Sequence, residues 1–405
     1  MQAEIVTVGT ELLLGEILNT NTQFLSRQSA RMGIDVFHHV TVGDNFERLA
    51  EGLKNAMKRA DLVLVTGGLG PTPDDITREV VAHVWEKDMV HIPGTRDSAD
   101  DMRRQRQCMI PEDSIPLDND AGTAWGFFLS DAQADVACLP GPPAELQSMF
   151  DKSLRPLLED RAPAGRLFSR DILTAGMGES SVASELEDLL REQTDPTIAI
   201  YAEEGRVRIR LTTRAEKEKQ AEEKLEDTLN QIRQRLDKHI FGYDSDTLSK
   251  TVGQLLRDRN ETVAVAESCT GGMLGEMFTM VPGASDYFLG GMIAYSNEVK
   301  RDLLLVSNKL LCEHGAVSCS VAASMAEGAR TQLSSDTAIS ITGIAGPGGA
   351  VPGKPVGTIC FGLAGPWGVA SERKTFNGNR QYIRKRSVRY ALDQLRRHLS
   401  RDIQG

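Results

Sequence analysis

Two groups of residues in this chain could do chemistry. The first begins in Val263-Ala-Val-Ala-Glu-Ser-Cys-Thr-Gly-Gly272, an apolar run that reads as a strand breaking into a turn and a helix. Ser268 stands at the strand's carboxyl end, and Gly271 and Gly272 would open the first helical turn to a substrate oxygen. Serine is a poor nucleophile without a base in hydrogen-bond reach. His314 falls in a loop and His398 on the last helix, so a Ser-His-Asp triad is not expected. The better base is Lys300, in Ile293-Ala-Tyr-Ser-Asn-Glu-Val-Lys300. Tyr295 ends a strand there and Ser296 is a good N-cap, which puts Lys300 on the first or second turn of a helix. Tyr295 and Lys300 can then face one cleft. A lysine ordinarily titrates near ~10.4. Burial can bring it towards ~7–8, and a phenol between lysine and serine could relay the proton. From this segment alone, an ordinary surface lysine is the simpler account. Cys269 is the rival nucleophile, with no cationic partner of its own in view.

The substrate side offers Thr342-Gly-Ile-Ala-Gly-Pro-Gly-Gly349 after a strand. Thr342 has a hydroxyl, Gly343 and Gly346 have open backbone, and Arg380 near the start of the last helix could pair with phosphate. That helix carries eight Lys/Arg against one Asp over 380–401, so its cations read first as a solvated or partner-facing surface. The second group is Thr66-Gly-Gly-Leu-Gly-Pro-Thr-Pro-Asp-Asp-Ile-Thr77. Its glycines let backbone N–H groups approach an anion at a helix N-terminus, and Asp74 and Asp75 are hard oxygen ligands suited to Mg²⁺. A capped helix behind an ordinary turn explains the same residues.

The elements that must position these groups are legible. Ile5–Val8, Asp35–Val42 and Leu62–Val65 read as strands between helices Thr20–Arg31 and Phe46–Arg59, a mostly parallel sheet covered on both faces. Breaker-rich residues 161–165 mark a boundary. A strand at Leu167–Thr174, a helix at Ser180–Arg191, a hairpin turn at Glu203-Glu-Gly205 and the alternating Arg206–Leu211 follow, with a helix over 215–238. This small α+β segment shows no catalytic residues, and packing or dimerisation is its expected role. Beyond it, helix 247–258, strands at Thr262–Ala266, Met292–Tyr295, Ala338–Thr342 and Thr358–Leu363, and a helix from Asn379 are again α/β. The expected domains are 1–165, 166–245 and 246–405.

Composition limits the function. At roughly 150 residues per domain, 405 residues imply about 2.7 domains. With 46 Lys+Arg against 57 Asp+Glu the net charge is −11, which argues against direct nucleic-acid binding. Six cysteines without CxxC spacing, no signal peptide and no long apolar run predict reduced thiols, a cytoplasmic protein and no membrane span.

Taken in order, Val8-Gly-Thr-Glu11, Asn19-Thr-Asn21, Val42-Gly-Asp44, the Thr66–Thr77 loop, Asn119-Asp-Ala-Gly-Thr-Ala124 and Leu139-Pro-Gly-Pro-Pro-Ala-Glu145 resemble the molybdopterin-binding domain family in its CinA version. Trp125 stands where that family commonly has Pro. Ala266-Glu-Ser-Cys-Thr-Gly-Gly272, Pro282-Gly-Ala-Ser285, Tyr295-Ser-Asn-Glu-Val-Lys300, Gly315-Ala-Val-Ser318 and Thr342–Gly349 resemble the CinA C-terminal domain, the nicotinamide-nucleotide amidohydrolase family. The resemblance implies a three-layer N-terminal domain and a Ser-Tyr-Lys site at Ser268, Tyr295 and Lys300. It implies deamidation of nicotinamide mononucleotide without a cofactor, with oxyanion donors near Thr270, Gly271 and Gly272. For the N-terminal domain it implies hydrolysis of ADP-ribose with a divalent metal of the Mg or Co type. Asp75, Asp44 and Glu11 are the ligand or base candidates there, and Gly67, Gly68 and Gly70 the phosphate cradle. A homodimer is expected. The alternative is a nucleotide- or pterin-binding scaffold linked to competence or DNA recombination, without turnover.

Overall fold

Alternation within the N-terminal strands sends successive side chains to opposite faces of one sheet. In β3 (Leu62–Thr66), Val63 and Val65 join one buried cluster, while Leu62 and Leu64 join another. The computed structural model describes residues 1–92, 106–161, 165–203 and 205–401. Linker residues 162–164 and Glu204 of the expected hairpin turn lie outside the described residues.

The N-terminal sheet uses β1 (Gln2–Val8), β2 (Asp35–Val42), β3, β6 (Ile115–Leu117), β7 (Gly126–Leu129) and β8 (Asp135–Leu139), in the order β2-β1-β3-β8-β7-β6. The first four are parallel, and β7 and β6 run antiparallel at the edge. Two short strands, β4 (Met89–His91) and β5 (Met109–Pro111), form a separate ladder. Helices Phe46–Met57 and Thr77–Val84 contribute to one cluster, and Thr20–Arg31 and Pro143–Met149 to the other. The result is the three-layer arrangement expected.

The contacts divide the chain into two compact units, Met1–Phe168 with Thr213–Glu222, and Ser169–Thr212 with Glu223–Gly405. The middle sheet has the order β10-β11-β9-β12, from β9 (Arg166–Thr174), β10 (Thr197–Glu203), β11 (Arg206–Ala215) and β12 (Ile240–Tyr243). Val207, Ile209 and Leu211 of β11 are buried, as strict alternation requires. The helix expected over Ser180–Arg191 is broken at Leu186 into Glu179–Glu185 and Glu187–Glu192.

The C-terminal sheet has the order β14-β13-β15-β16-β17: β13 (Val263–Glu267), β14 (Phe288–Ile293), β15 (Thr337–Gly343), β16 (Thr358–Gly365) and β17 (Gly368–Thr375). Strand β13 is buried end to end and parallel to both neighbours. Val263 and Val265 pack with the helices Leu248–Arg259 and Arg380–Arg401, and Ala264 and Ala266 with Cys319–Gln332. This segment is also three-layered. Strand β14 ends at Ile293, two residues before Tyr295, which the sequence reading had placed inside the strand.

Candidate active site

Burial on both faces of β13 fixes where its last residue emerges. Ser268 follows it, and its N–H donates to Ile341 O at 2.9 Å. The next turn needs positive φ at Gly271 (61°) and Gly272 (98°), where a Cβ is unfavourable. Lys300 comes from the helix Asn297–Leu304, whose N-cap is Ser296, its Oγ accepting from Val299 N–H. The lysine side chain is only 1% exposed. Its Nζ donates to Ser268 Oγ (3.1 Å), Ala294 O (2.8 Å) and Tyr295 O (3.2 Å). No carboxylate pairs with it among the described residues. Burial therefore pushes its pKa below the ordinary lysine value, chiefly by desolvating the cation.

The contact is direct, so the expected relay through Tyr295 needs correction. Tyr295 is 66% exposed and serves Lys300 with its carbonyl. The two carbonyls have a further effect. When Lys300 is neutral they can take its two remaining N–H groups, which turns the lone pair towards Ser268 Oγ.

Glu267 has no role in the sequence reading. It is 1% exposed, and its carboxylate accepts from the N–H groups of Gly272 (3.1 Å), Leu274 (3.0 Å) and Gly275 (2.8 Å). This is the place where a glycine-opened helix start would otherwise receive a substrate anion. The chain's own carboxylate fills it. Gly271 N–H in turn donates to Ser268 O at 3.2 Å. Gly271 and Gly272 are thus not the oxyanion donors expected. Neither Thr270 N–H nor Cys269 N–H has an acceptor among the described residues. These two amides are the open ones beside Ser268. Burial raises the Cys269 thiol to about 12, which keeps it protonated and disqualifies it as a nucleophile.

Around this centre, Arg380 Nη1 donates to Gly346 O at 2.6 Å, which ties the last helix to the Thr342–Gly349 loop. Thr342 turns its hydroxyl to Ala316 O (2.9 Å), and Gly343 is packed so closely on Ile359 that a Cβ would lie 2.3 Å from its Cδ1. One turn beyond Arg380, Arg384 was missed. Its Nη2 donates to Thr270 O at 2.6 Å. Arg384 Nε and Thr270 Oγ1 are both buried without a hydrogen-bond partner. The i, i+4 spacing from Arg380 was the available signal for Arg384, and the uniform charge of that helix hid it.

The N-terminal candidates behave differently. Asp44 Oδ2 accepts from Thr10 N–H (2.9 Å) and Oγ1 (2.8 Å), and Asp75 Oδ2 from Thr72 N–H (2.8 Å) and Oγ1 (2.6 Å). Each closes a loop of its own. Among the described residues no group of three His, Cys, Asp or Glu side chains is placed to hold a metal, and the carboxylates of Asp44 and Asp75 are engaged in these loops. Gly67 donates its N–H to Leu139 O (3.1 Å), and a Cβ there would lie 2.2 Å from Val8 O. A Cβ on Gly68 would meet Thr77 Oγ1 at 2.3 Å, and one on Gly70 Asp75 Oδ2 at 2.4 Å. Close packing thus accounts for these glycines. The helix expected from Asp75 begins at Thr77. A cavity of about 320 Å³ nearby is lined by Glu11, Asn21, Thr66, Gly67 and Gly141, but not by Asp44 or Asp75. Asn21 Nδ2 bonds Thr66 Oγ1 (3.2 Å) and Gly141 O (2.7 Å), leaving Oδ1 buried and unpartnered.

Among the described residues, no helix is long and apolar enough to cross a membrane. Three family profiles match the chain: "Probable molybdopterin binding domain" over residues 4–160, "Damage-inducible protein CinA KH domain" over 169–242 and "CinA C-terminal domain" over 245–399. A protein of Symbiobacterium thermophilum named "Putative competence-damage inducible protein" is 45% identical, over 98% of this chain and 99% of its own length. A CinA-like protein of Acaryochloris marina is 42% identical over 99% of both. The crystal structure of a competence/damage inducible protein from Agrobacterium tumefaciens is 35% identical, over 38% of this chain and 94% of its own, with a TM-score of 0.37. With relatives matched along nearly their whole length, the chain belongs to the CinA family.

Proposed function

We propose that the C-terminal segment hydrolyses the carboxamide of nicotinamide mononucleotide, giving nicotinate mononucleotide and ammonia. The observation that carries this reading is a buried lysine, free of any carboxylate, with its Nζ on Ser268 Oγ. Neutral Lys300 takes the proton of Ser268 as Oγ attacks the carboxamide carbon. The oxyanion forms beside the open amides of Cys269 and Thr270, where one such donor is typically worth about 3 kcal/mol of barrier. Protonated Lys300 then returns its proton to the departing nitrogen, ammonia leaves, and water resolves the acyl-serine by the same route. Arg384 Nε and Thr270 Oγ1 are buried polar groups in want of a partner, and with Arg380 they are our candidates for the substrate's phosphate or ribose.

The test is incubation of the full chain with nicotinamide mononucleotide and EDTA, scoring ammonia and the acid. Wild type turns over and Ser268→Ala does not. Full activity in Ser268→Ala removes the nucleophile assignment. An inert wild type favours the family's other reading, a binding scaffold linked to competence or recombination.

For the N-terminal cavity we propose recognition of a pyrophosphate-linked nucleotide of the ADP-ribose type. The unpartnered Asn21 Oδ1 is the support for a polar ligand there. Calorimetry with ADP-ribose tests it: Asn21→Leu should weaken binding. Assays with added Mg²⁺ or Co²⁺, on wild type and Asp75→Ala, decide whether hydrolysis accompanies binding.

A further inference from the structure

Within the second compact unit a cavity of about 370 Å³ opens between the middle segment and the last helix. Small-molecule sites span roughly 300–1,000 Å³. Its walls include Met177, Phe376, Tyr382, Arg386 and Arg389. The charges around it are unequally neutralised. Glu203 accepts from Arg206 and Arg208, Asp393 from Arg396 and Arg397, and Lys374 pairs with Glu372. Arg386 pairs with no carboxylate among the described residues. Its guanidinium instead lies over two rings, Phe376 at 5.0 Å and Tyr382 at 5.6 Å. Stacking covers the faces of a guanidinium and leaves its N–H edge, the fork that binds phosphate through two oxygens.

We propose that this cavity binds a nucleoside monophosphate, at a site separate from Ser268. Arg386 takes the phosphate from one side. Half-buried Tyr382 and Met177 form an apolar shelf for a planar base. Glu203 is placed to accept from ribose hydroxyls. Glu179, on the cavity wall and in no ion pair among the described residues, limits the ligand's charge: it would repel the extra phosphates of a nucleoside triphosphate. The proposal does not depend on the amide-hydrolysis reading, because it concerns binding alone.

Isothermal titration of the full chain with adenosine 5′-monophosphate tests it. In Arg386→Ala, and in the charge-preserving Arg386→Lys, affinity should fall about tenfold or more, because neither keeps the fork. Ser268→Ala should bind as wild type does, and adenosine triphosphate more weakly than the monophosphate. Hydrogen exchange across residues 175–179 and 205–207, on the cavity wall and away from Arg380 and Arg384, should slow on binding, a readout that does not need a variant to fold. The proposal is overturned by unchanged affinity in Arg386→Lys, by absence of protection in 175–179 and 205–207, or by tighter binding of the triphosphate. It is equally overturned if a thymidine oligonucleotide outcompetes the monophosphate.

Discussion

At the scale of single residues, Lys300 sets the pH behaviour. Its folded pKa lies below the ordinary value because burial penalises the cation and no carboxylate among the described residues pairs with it. Only the neutral amine can take the serine proton. The rate should therefore rise with pH through the folded pKa and level off above it, and kcat/KM profiles check this. In Lys300→Arg the group cannot deprotonate, so activity should be lost rather than shifted. The linkage sign follows from the same shift. Below ~10.4 the unfolded chain binds this proton more tightly than the folded one, so the residue makes stability rise with pH between the folded value and ~10.4. Cys269 gives the contrasting expectation. Its thiol, raised to about 12, should resist alkylation at neutral pH while exposed Cys312 reacts, and Cys269→Ala should keep turning over. Peptide mapping after iodoacetamide treatment reads the first outcome. Glu267→Gln can accept with one oxygen only and turns an amide donor at a backbone N–H. A loss of about 1–3 kcal/mol in holding the Ser268 turn is expected, which should appear in kcat as about 5- to 150-fold, with KM little changed.

At the scale of elements, the distance from Lys300 to Ser268 depends on how two helices meet. A Cβ on Gly328, in the helix Cys319–Gln332, would lie 1.9 Å from Leu304 O at the end of the helix that carries Lys300. Gly328→Ala must push that helix away. About 1–3 kcal/mol of destabilisation is expected, with a lower Tm and a lower kcat together; a normal kcat at reduced Tm would show that the dyad tolerates the shift. Sequence could not reveal this contact, because a glycine inside a helix looks the same whether its neighbour is solvent or a carbonyl. It did reveal the central strands, whose runs of Val, Leu and Ile are buried on both faces. The edge strands were harder. In β14 the pair Gly290–Gly291 interrupts the apolar run, and β17 places the charged Glu372 and Lys374 at its half-buried positions, so the first was displaced and the second unread. At the site, Ser268 and Lys300 were legible because residue type and strand-to-helix position agree. Glu267 and Arg384 were not, since a carboxylate inside an apolar strand and one cation among eight give no sign of what they touch.

At the scale of the whole molecule, the last helix links the middle segment to the C-terminal one. Its first turns meet the site loops through Arg380 and Arg384, and its later turns hold an ion cluster. Asp393, 2% exposed, accepts from Arg396 (2.8 and 3.0 Å) and from Arg397 Nε (2.8 Å). Arg396 also donates to Lys238 O (2.8 Å) and Ile240 O (3.2 Å), and Arg397 to Ala175 O (3.4 Å). Removing the carboxylate leaves two guanidiniums without their anion against the carbonyls of the middle segment. Losing one partner of a buried ionic group typically costs about 3–5 kcal/mol. Asp393→Ala should therefore lower the Tm and speed proteolysis within 169–242. Below its new melting temperature it should keep the wild-type kcat, because no group of the cluster touches Ser268 or Lys300. If proteolysis stays at the wild-type rate while kcat collapses, the cluster serves the catalytic centre and not the joint between segments. The same variant also tests how the helix divides its work. Arg384 lies more than two turns before Asp393, so it should keep its bond to Thr270 O while the far end of the helix loosens.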